Sequence, residues 1–370
     1  MKYKLAYLCG TSSWGGLEMN QLRNAIWMQQ RGHAVVILCC GNSPIEENAR
    51  KENVKVIQID RHRKYYDIGK GLALVQIIKR EQITHLIVRA TYDMSIAAFA
   101  KWKLRNNLHL SYFMEMQLGI SKRNIFHSLR FRKFDLWACP LHWLAQQVKI
   151  LTRFPKERIR VIPSGLDLHQ FSSEKKMQDA RQVLGLPLDG FLFGLIGRFD
   201  VHKGQLLLLD AMQKCNQTNF SVVFLGEPTR NEGETYFAQM QQRINNHQLS
   251  HRVFILPFRK EIVDFYKAIN CFVMASKSET FGMVTIEAMA CGTQILGSSS
   301  GGTPEILQQG KLGLLFKASD SDDLAQKLKQ AIAGSHFVAP EILKEEAGKY
   351  SHSVVCQKVE EALGLNNVAI

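Results

Sequence analysis

The sequence predicts an α/β protein built from two Rossmann-like, parallel-sheet domains, and three observations carry that prediction. Apolar strand-like runs alternate with amphipathic helical stretches from Lys4 onward. The same alternation restarts at Phe191 after a break containing turn residues. The 370 residues suffice for two buried cores at roughly 100–200 residues per domain.

Lys4–Cys9 is the first strand. A glycine-containing loop, Gly10–Gly16, leads into a helix over Leu17–Gln30, which Gly32 stops, and Ala34–Cys40 is the next strand. Lys55–Ile59, His85–Arg89 and Leu108–Phe113 continue the series, with helical patterns between them. Such alternation implies a parallel sheet covered on both faces. The turn residues Ile162, Pro163, Ser164 and Gly165 put a domain boundary within Arg160–Lys175. Beyond it come the strand Phe191–Ile196, the loop Gly197–Gly204 and the helix Gln205–Cys215. Strands at Ser221–Leu225, Val253–Ile255, Cys271–Met274 and Gln294–Leu296 follow. The expected domains are residues 1–165 and 166–350, with 351–370 a terminal helix crossing back to the first domain. Two such domains would face one another across a cleft at the carboxyl ends of their sheets, where such sheets bind ligands.

A hydrophobic content of 46% with 22% charged residues excludes a disordered chain. The net charge of +14 is unevenly placed. Residues 1–160 hold 27 basic and 11 acidic residues, a balance of +16, and the remainder 20 and 22, a balance of −2. A positive first half points to a polyanionic partner: anionic lipid, nucleic acid or an acidic substrate. The eight cysteines show no CxxC spacing, and Cys9, Cys39 and Cys271 lie in strand-like runs; they read as free core thiols in a reducing compartment. The opening MKYKLAYLCG reads as a strand rather than a leader. No run approaches the roughly 18 apolar residues of a spanning helix.

Three segments carry chemistry. In SETFGMVTIEAMACG, Ser278 to Gly292, a helix begins near Phe281 or Gly282. Its first amides, those of Gly282, Met283 and Val284, and its positive end favour a diphosphate. Glu279 in the preceding loop could accept hydrogen bonds from a sugar, and Glu287, two turns into the helix, from a ribose. In GRFDVHKG, Gly197 to Gly204, Arg198 and Lys203 are two cations at the carboxyl edge of a sheet, able to hold a diphosphate or neutralise a leaving group. A solvated surface loop is the plainer reading of that segment alone. In SSWGGLEMN, Gly15 and Gly16 precede a helix without forming GxGxxG; they admit a phosphate or sugar, or simply make a tight turn.

Together these segments resemble glycosyltransferase family 4, of the GT-B fold. ETFGMVTIE, with Glu279 and Glu287, is similar to the family's two-Glu motif, and the following EAMACGTQILGSSSGGTPEI to its continuation. GRFDVHKG matches the family's Arg–Lys loop, and WGGLE followed by RGHAVVIL its amino-terminal pattern. IPSGLD matches the interdomain turn, with Ser164 where Asn is usual. The resemblance implies a UDP- or GDP-sugar donor and transfer with retention of configuration. Arg198 and Lys203 would hold the diphosphate, Glu279 would contact the sugar and Glu287 the ribose. Gly15, Gly16, Phe281, Gly282, Met283 and Val284 complete the donor set. No metal would be required. Asp320-Ser321-Asp322, superficially a metal-binding DxD, reads as a helix cap. Many family members carry a histidine near the cleft where this chain has YFMEMQLG, Tyr112 to Gly119. Glu115 is the nearest polar candidate there, either a catalytic group facing donor or acceptor or a structural carboxylate.

Eight basic residues and one acidic residue, Glu115, lie between Lys101 and Lys133, interleaved with Trp102, Phe126, Leu129, Phe131 and Phe134. This suits an anionic membrane interface, the alternative being a solvated face whose apolar residues belong to the core. RHRKYY, Arg61 to Tyr66, is a second such loop. The reading that follows is a cytoplasmic glycosyltransferase peripheral to the inner face of the membrane, acting on a cell-envelope glycan or lipid-linked acceptor such as lipopolysaccharide core. A sugar-nucleotide epimerase of the same fold and a basic nucleic-acid-binding protein are the alternatives. No nucleic-acid-binding module is recognisable, so nucleic acid is not an expected partner.

Overall fold

The computed structural model describes residues 3–215, 219–229 and 233–365. The chain divides into two units, Met1–Gly165 with His352–Ile370, and Leu166–Ser351. The first unit holds seven strands: β1 Lys4–Cys9, β2 Ala34–Cys40, β3 Lys55–Ile59, β4 His85–Val88, β5 His109–Phe113, β6 Leu136–Cys139 and β7 Ile159–Val161. The second holds β8 Phe191–Ile196, β9 Phe220–Leu225, β10 Val253–Leu256, β11 Cys271–Met274, β12 Gln294–Ser298 and β13 Leu314–Phe316. Every strand pairing is parallel. The sequence reading found ten of these strands and passed over β6, β7 and β13, runs of three or four residues.

In the first sheet the order is β3-β2-β1-β4-β5-β6-β7. Strands β1 and β2 are apolar almost throughout because both faces are covered, and alternate residues enter different cores. Ala6, Leu8, Val36 and Leu38 pack with Leu74 and Ile78 of the helix Ile68–Arg80 and with Ala97 and Ala100 of the helix Met94–Leu104. Leu5, Tyr7, Ile37 and Cys39 pack with Leu22 and Trp27 of the helix Gly16–Gln30 and with Val355 and Val359 of the last helix, His352–Leu363. Polar contacts fasten that last helix: Glu360 pairs with Arg31 at 2.6 Å and His33 at 2.8 Å, and His85 Nε2 lies 3.1 Å from the Leu363 carbonyl.

The second sheet runs β10-β9-β8-β11-β12-β13. Strand order reverses between β8 and β11, as it does between β1 and β4 in the first sheet. Loops leaving the carboxyl ends of such a pair diverge around a crevice, the usual ligand position in an open α/β sheet. All eight cysteines are buried free thiols.

Candidate functional site

The loops after β8 and β11 carry the second unit's charged constellation. Their backbones touch, with Lys277 N donating to the His202 carbonyl at 2.8 Å. Gly204, at φ 80°, permits this approach, since a Cβ there would lie 2.2 Å from the Ala275 carbonyl oxygen. Asp200 Oδ1 accepts from His202 N at 2.9 Å and shapes the turn that presents Lys203. Lys203 Nζ lies 2.9 Å from Glu279 Oε2, which also accepts from Ser276 Oγ at 3.2 Å; both members of the ion pair are half-buried. Arg198 is exposed, and its carbonyl accepts from the buried Gln205 side chain at 2.9 Å.

A third loop, after β12, closes behind Glu279. Gly302 N donates to the Glu279 carbonyl at 2.8 Å, and Gly301, at φ 64°, passes so near that a Cβ would sit 2.2 Å from that oxygen. The SSSGG stretch thus supports the Glu279 backbone. Gly282, at φ 84°, caps the helix Met283–Ala290. Thr285 N bonds back to the Gly282 carbonyl, so Met283 and Val284 offer the helix's forward-facing amides. Glu287 Oε2 accepts from Tyr266 Oη at 2.8 Å. Tyr266 is fully buried, and burial together with the Glu287 charge pushes its phenol far above its ordinary range. The Phe281 ring is buried and meets Tyr350 edge-on at 5.9 Å, so its side chain packs inside the unit. Only its main chain remains for the donor set.

In the first unit, Glu115 pairs with Arg89 and lies 3.5 Å from Asn20 Nδ2. Burial pushes the Glu115 carboxyl up, with Arg89 opposing. Glu115 is thus held in an ion pair, an arrangement compatible with both of its sequence readings, a catalytic group or a structural carboxylate. Gly15 caps the helix Gly16–Gln30, where the WGGLE glutamate holds the loop: Glu18 accepts from Gly15 N at 3.0 Å, Ser13 Oγ at 2.5 Å and Thr11 Oγ1 at 3.1 Å.

Sequence reasoning missed a buried polar set at the same sheet edge. His62, from the loop read as exposed and basic, is buried and places Nε2 2.9 Å from Asp93 Oδ1. Asp93 in turn accepts from Gly10 N at 3.1 Å through each oxygen. The only sequence signal was Asp93 preceding a helix. Asp320 caps the helix Ser321–Ile332 through Asp322 N and Asp323 N, both at 3.0 Å, as its sequence suggests. Among the described residues no three His, Cys, Asp or Glu side chains gather as a metal cluster, and no helix is long and apolar enough to cross a membrane.

Comparisons with known proteins agree with this architecture. Residues 14–170 match the family model Glycosyltransferase Family 4, and residues 176–351 match Glycosyl transferases group 1. D-inositol 3-phosphate glycosyltransferase of Corynebacterium jeikeium is 31% identical over 182 residues, 47% of this chain and 43% of that protein. Its counterpart in Mycolicibacterium smegmatis is 30% identical over 209 residues, 56% of this chain and 47% of that protein. The alignments thus span about half the length of these curated relatives. Among solved structures, a glycosyltransferase from Rickettsia africae superposes with TM-score 0.87 at 18% identity, covering 99% of this chain and 100% of the other. HepE of Anabaena, in complex with UDP, gives 0.85 at 20% identity with the same coverage. With both sheets ordered as such domains require and the two family models adjoining along most of its length, the chain belongs to the family 4-like glycosyltransferases of GT-B fold.

Proposed function

We propose that the protein transfers a sugar, with retention of configuration, from a nucleoside diphosphate sugar to an anionic acceptor of the cell envelope, either a glycan or a lipid-linked saccharide. The observation that carries the reading is the Lys203–Glu279 pair at the β8/β11 switch point, with Arg198 and the Gly282–Val284 helix start on the same loops. Arg198 and Lys203 would grip the diphosphate and neutralise charge growing on the leaving group, an interaction that strengthens in the transition state. The amides of Met283 and Val284 would add donors. Glu279 would orient the sugar and Glu287 the ribose. Attack from the face the nucleotide leaves needs no protein nucleophile, so Glu115 need not replace the family's histidine, and no metal is required in this scheme.

HepE has been crystallised with UDP and UDP-glucose, which favours a uridine donor over a guanosine one. The relatives' name, D-inositol 3-phosphate glycosyltransferase, makes a phosphate-bearing polyol a further acceptor class to test. Either acceptor suits the +16 balance of residues 1–160. The same charge supports a location at the inner face of the cytoplasmic membrane. Transfer is preferred to epimerisation because cations and carboxylates are both complete on the donor loops. Titration calorimetry with UDP, GDP and ADP, followed by turnover with UDP-sugars and each acceptor class, tests the reading. Failure of every nucleoside diphosphate to bind would overturn it.

A further inference from the structure

The basic, aromatic stretch between Lys101 and Lys133 divides in the fold. Phe131 and Phe134 are buried in the core, whereas Trp102, Phe126 and Leu129 stand 52%, 70% and 55% exposed. With Tyr66 and Ile68 they rim a pocket of about 550 Å³ among the helices Ile68–Arg80, Met94–Leu104 and Ile125–Phe131. Ile96, Ala98 and Phe99 line it further in. That volume lies within the roughly 300–1,000 Å³ of ordinary small-ligand pockets. Contiguous exposed apolar surface of this kind marks an interaction site.

Cations edge the apolar walls. The Arg130 guanidinium bonds Ser95 Oγ at 3.2 Å and His127 Nδ1 at 3.0 Å, and lies 5.3 Å from the Tyr65 ring centroid. Among the described residues it pairs with no carboxylate. Lys133 also lines the pocket, and Lys103 Nζ stands 4.5 Å over the Trp102 ring. Asp67, the acidic residue of the lining, is engaged by Arg63 N at 2.9 Å and Lys70 N at 3.2 Å.

We infer that this pocket takes one hydrocarbon chain of an anionic membrane phospholipid, with its phosphate against Arg130 and Lys133. Apolar walls match the chain, and an arginine lacking a carboxylate matches the phosphate. A neutral amphiphile would leave the cations unanswered, and a small polar anion would leave the apolar walls uncovered. The inference rests on the membrane attachment proposed above and goes beyond it, since a lipid enters the protein rather than lying beneath it.

The test is a fluorescence titration of the full chain with short-chain phosphatidylglycerol brominated on its acyl chain, kept below its micellar concentration. Bromine quenches only nearby indoles, and no bilayer is present for Trp102 to dip into. The expected result is saturable quenching at one lipid per protein, absent in Trp102→Phe and lost in Phe126→Glu, whose ring is exposed enough for the fold to survive. Arg130→Gln with Lys133→Gln should raise the midpoint tenfold or more, and brominated phosphatidylcholine should quench far less. Absent quenching, or equal quenching by the neutral lipid, overturns the inference. Co-sedimentation with phosphatidylglycerol vesicles separates the two readings. Vesicle binding without quenching removes the pocket but leaves membrane attachment standing, whereas absence of both removes both.

Discussion

Lys203 and Glu279 meet at 2.9 Å although they leave different strands, and the carboxylate oxygen they share also accepts from Ser276. A cation suited to a diphosphate is therefore held by a carboxylate suited to a sugar. The pair keeps each charge compensated before a donor arrives, and a bound diphosphate would compete for the ammonium.

Replacing either member should separate their roles. Lys203→Ala should weaken UDP binding by roughly 10- to 100-fold, the equivalent of about 1.5–3 kcal/mol for a hydrogen bond to a charged group. Glu279→Gln keeps the shape and should reduce kcat more than nucleotide affinity. Calorimetry and initial rates on the same preparations check both. Normal turnover in the two variants would remove the site assignment.

Glycine is required at Gly301 and not at Gly16 for internal reasons. A Cβ on Gly301 would strike the Glu279 backbone at a positive φ, whereas Gly16 has nothing within 4 Å. Gly301→Ala should cost at least about 1–2 kcal/mol from the left-handed backbone alone, lowering Tm by on the order of 4 °C. Gly16→Ala should leave Tm unchanged or slightly raised. Reduced transfer in that stable variant is the expected sign of a ligand approaching the backbone.

Much of this was legible because it is local. Lys203, Glu279 and Glu287 sit on single loops or helix turns that follow the apolar strands β8 and β11, so motif and strand were read together. The three strands passed over lie at or next to an edge of their sheets, and their pairing is fixed by neighbours such as Ile159 opposite Trp137. The His62–Asp93–Gly10 set joins three separate segments, and Glu115 meets Arg89 because β4 and β5 are adjacent. Such contacts leave no spacing signature.

Tyr266→Phe isolates the support of Glu287. The phenol is fully buried and its hydroxyl lies 2.8 Å from Glu287 Oε2 and 3.2 Å from the Val284 carbonyl. Its removal should cost about 0.5–1.5 kcal/mol. If Glu287 serves the ribose, KM for the donor should rise while kcat holds. A fall in kcat alone would contradict that assignment.

His85 should make stability depend on pH. It is buried, with Nε2 directed at the Leu363 carbonyl and Nδ1 2.9 Å from Thr84 Oγ1. Burial, and then the neighbouring His109, push its pKa from an ordinary 6.5 down to about 4. Between those values the unfolded chain binds a proton that the native state refuses. Stability is thus present above pH 6.5 and is lost as pH falls through that window, by up to roughly 3 kcal/mol. His109 is pushed the same way by burial. His62 acts oppositely: burial disfavours its charge, but the Asp93 bond and the Arg63 carbonyl hold it above its ordinary value, so its contribution is present at low pH and lost as pH rises. Glu81, which Lys55 and Lys4 hold down to about 2, adds acid sensitivity below its ordinary 4.5. The interval from pH 6.5 to 4.5 lies above the Glu81 transition, and within it His85 and His109 act in the same direction. Over it, urea unfolding of His85→Gln should show a flatter stability profile than the parent chain. Parallel profiles would mean that His85 is protonated in the native state and that the last helix is not held by a neutral imidazole.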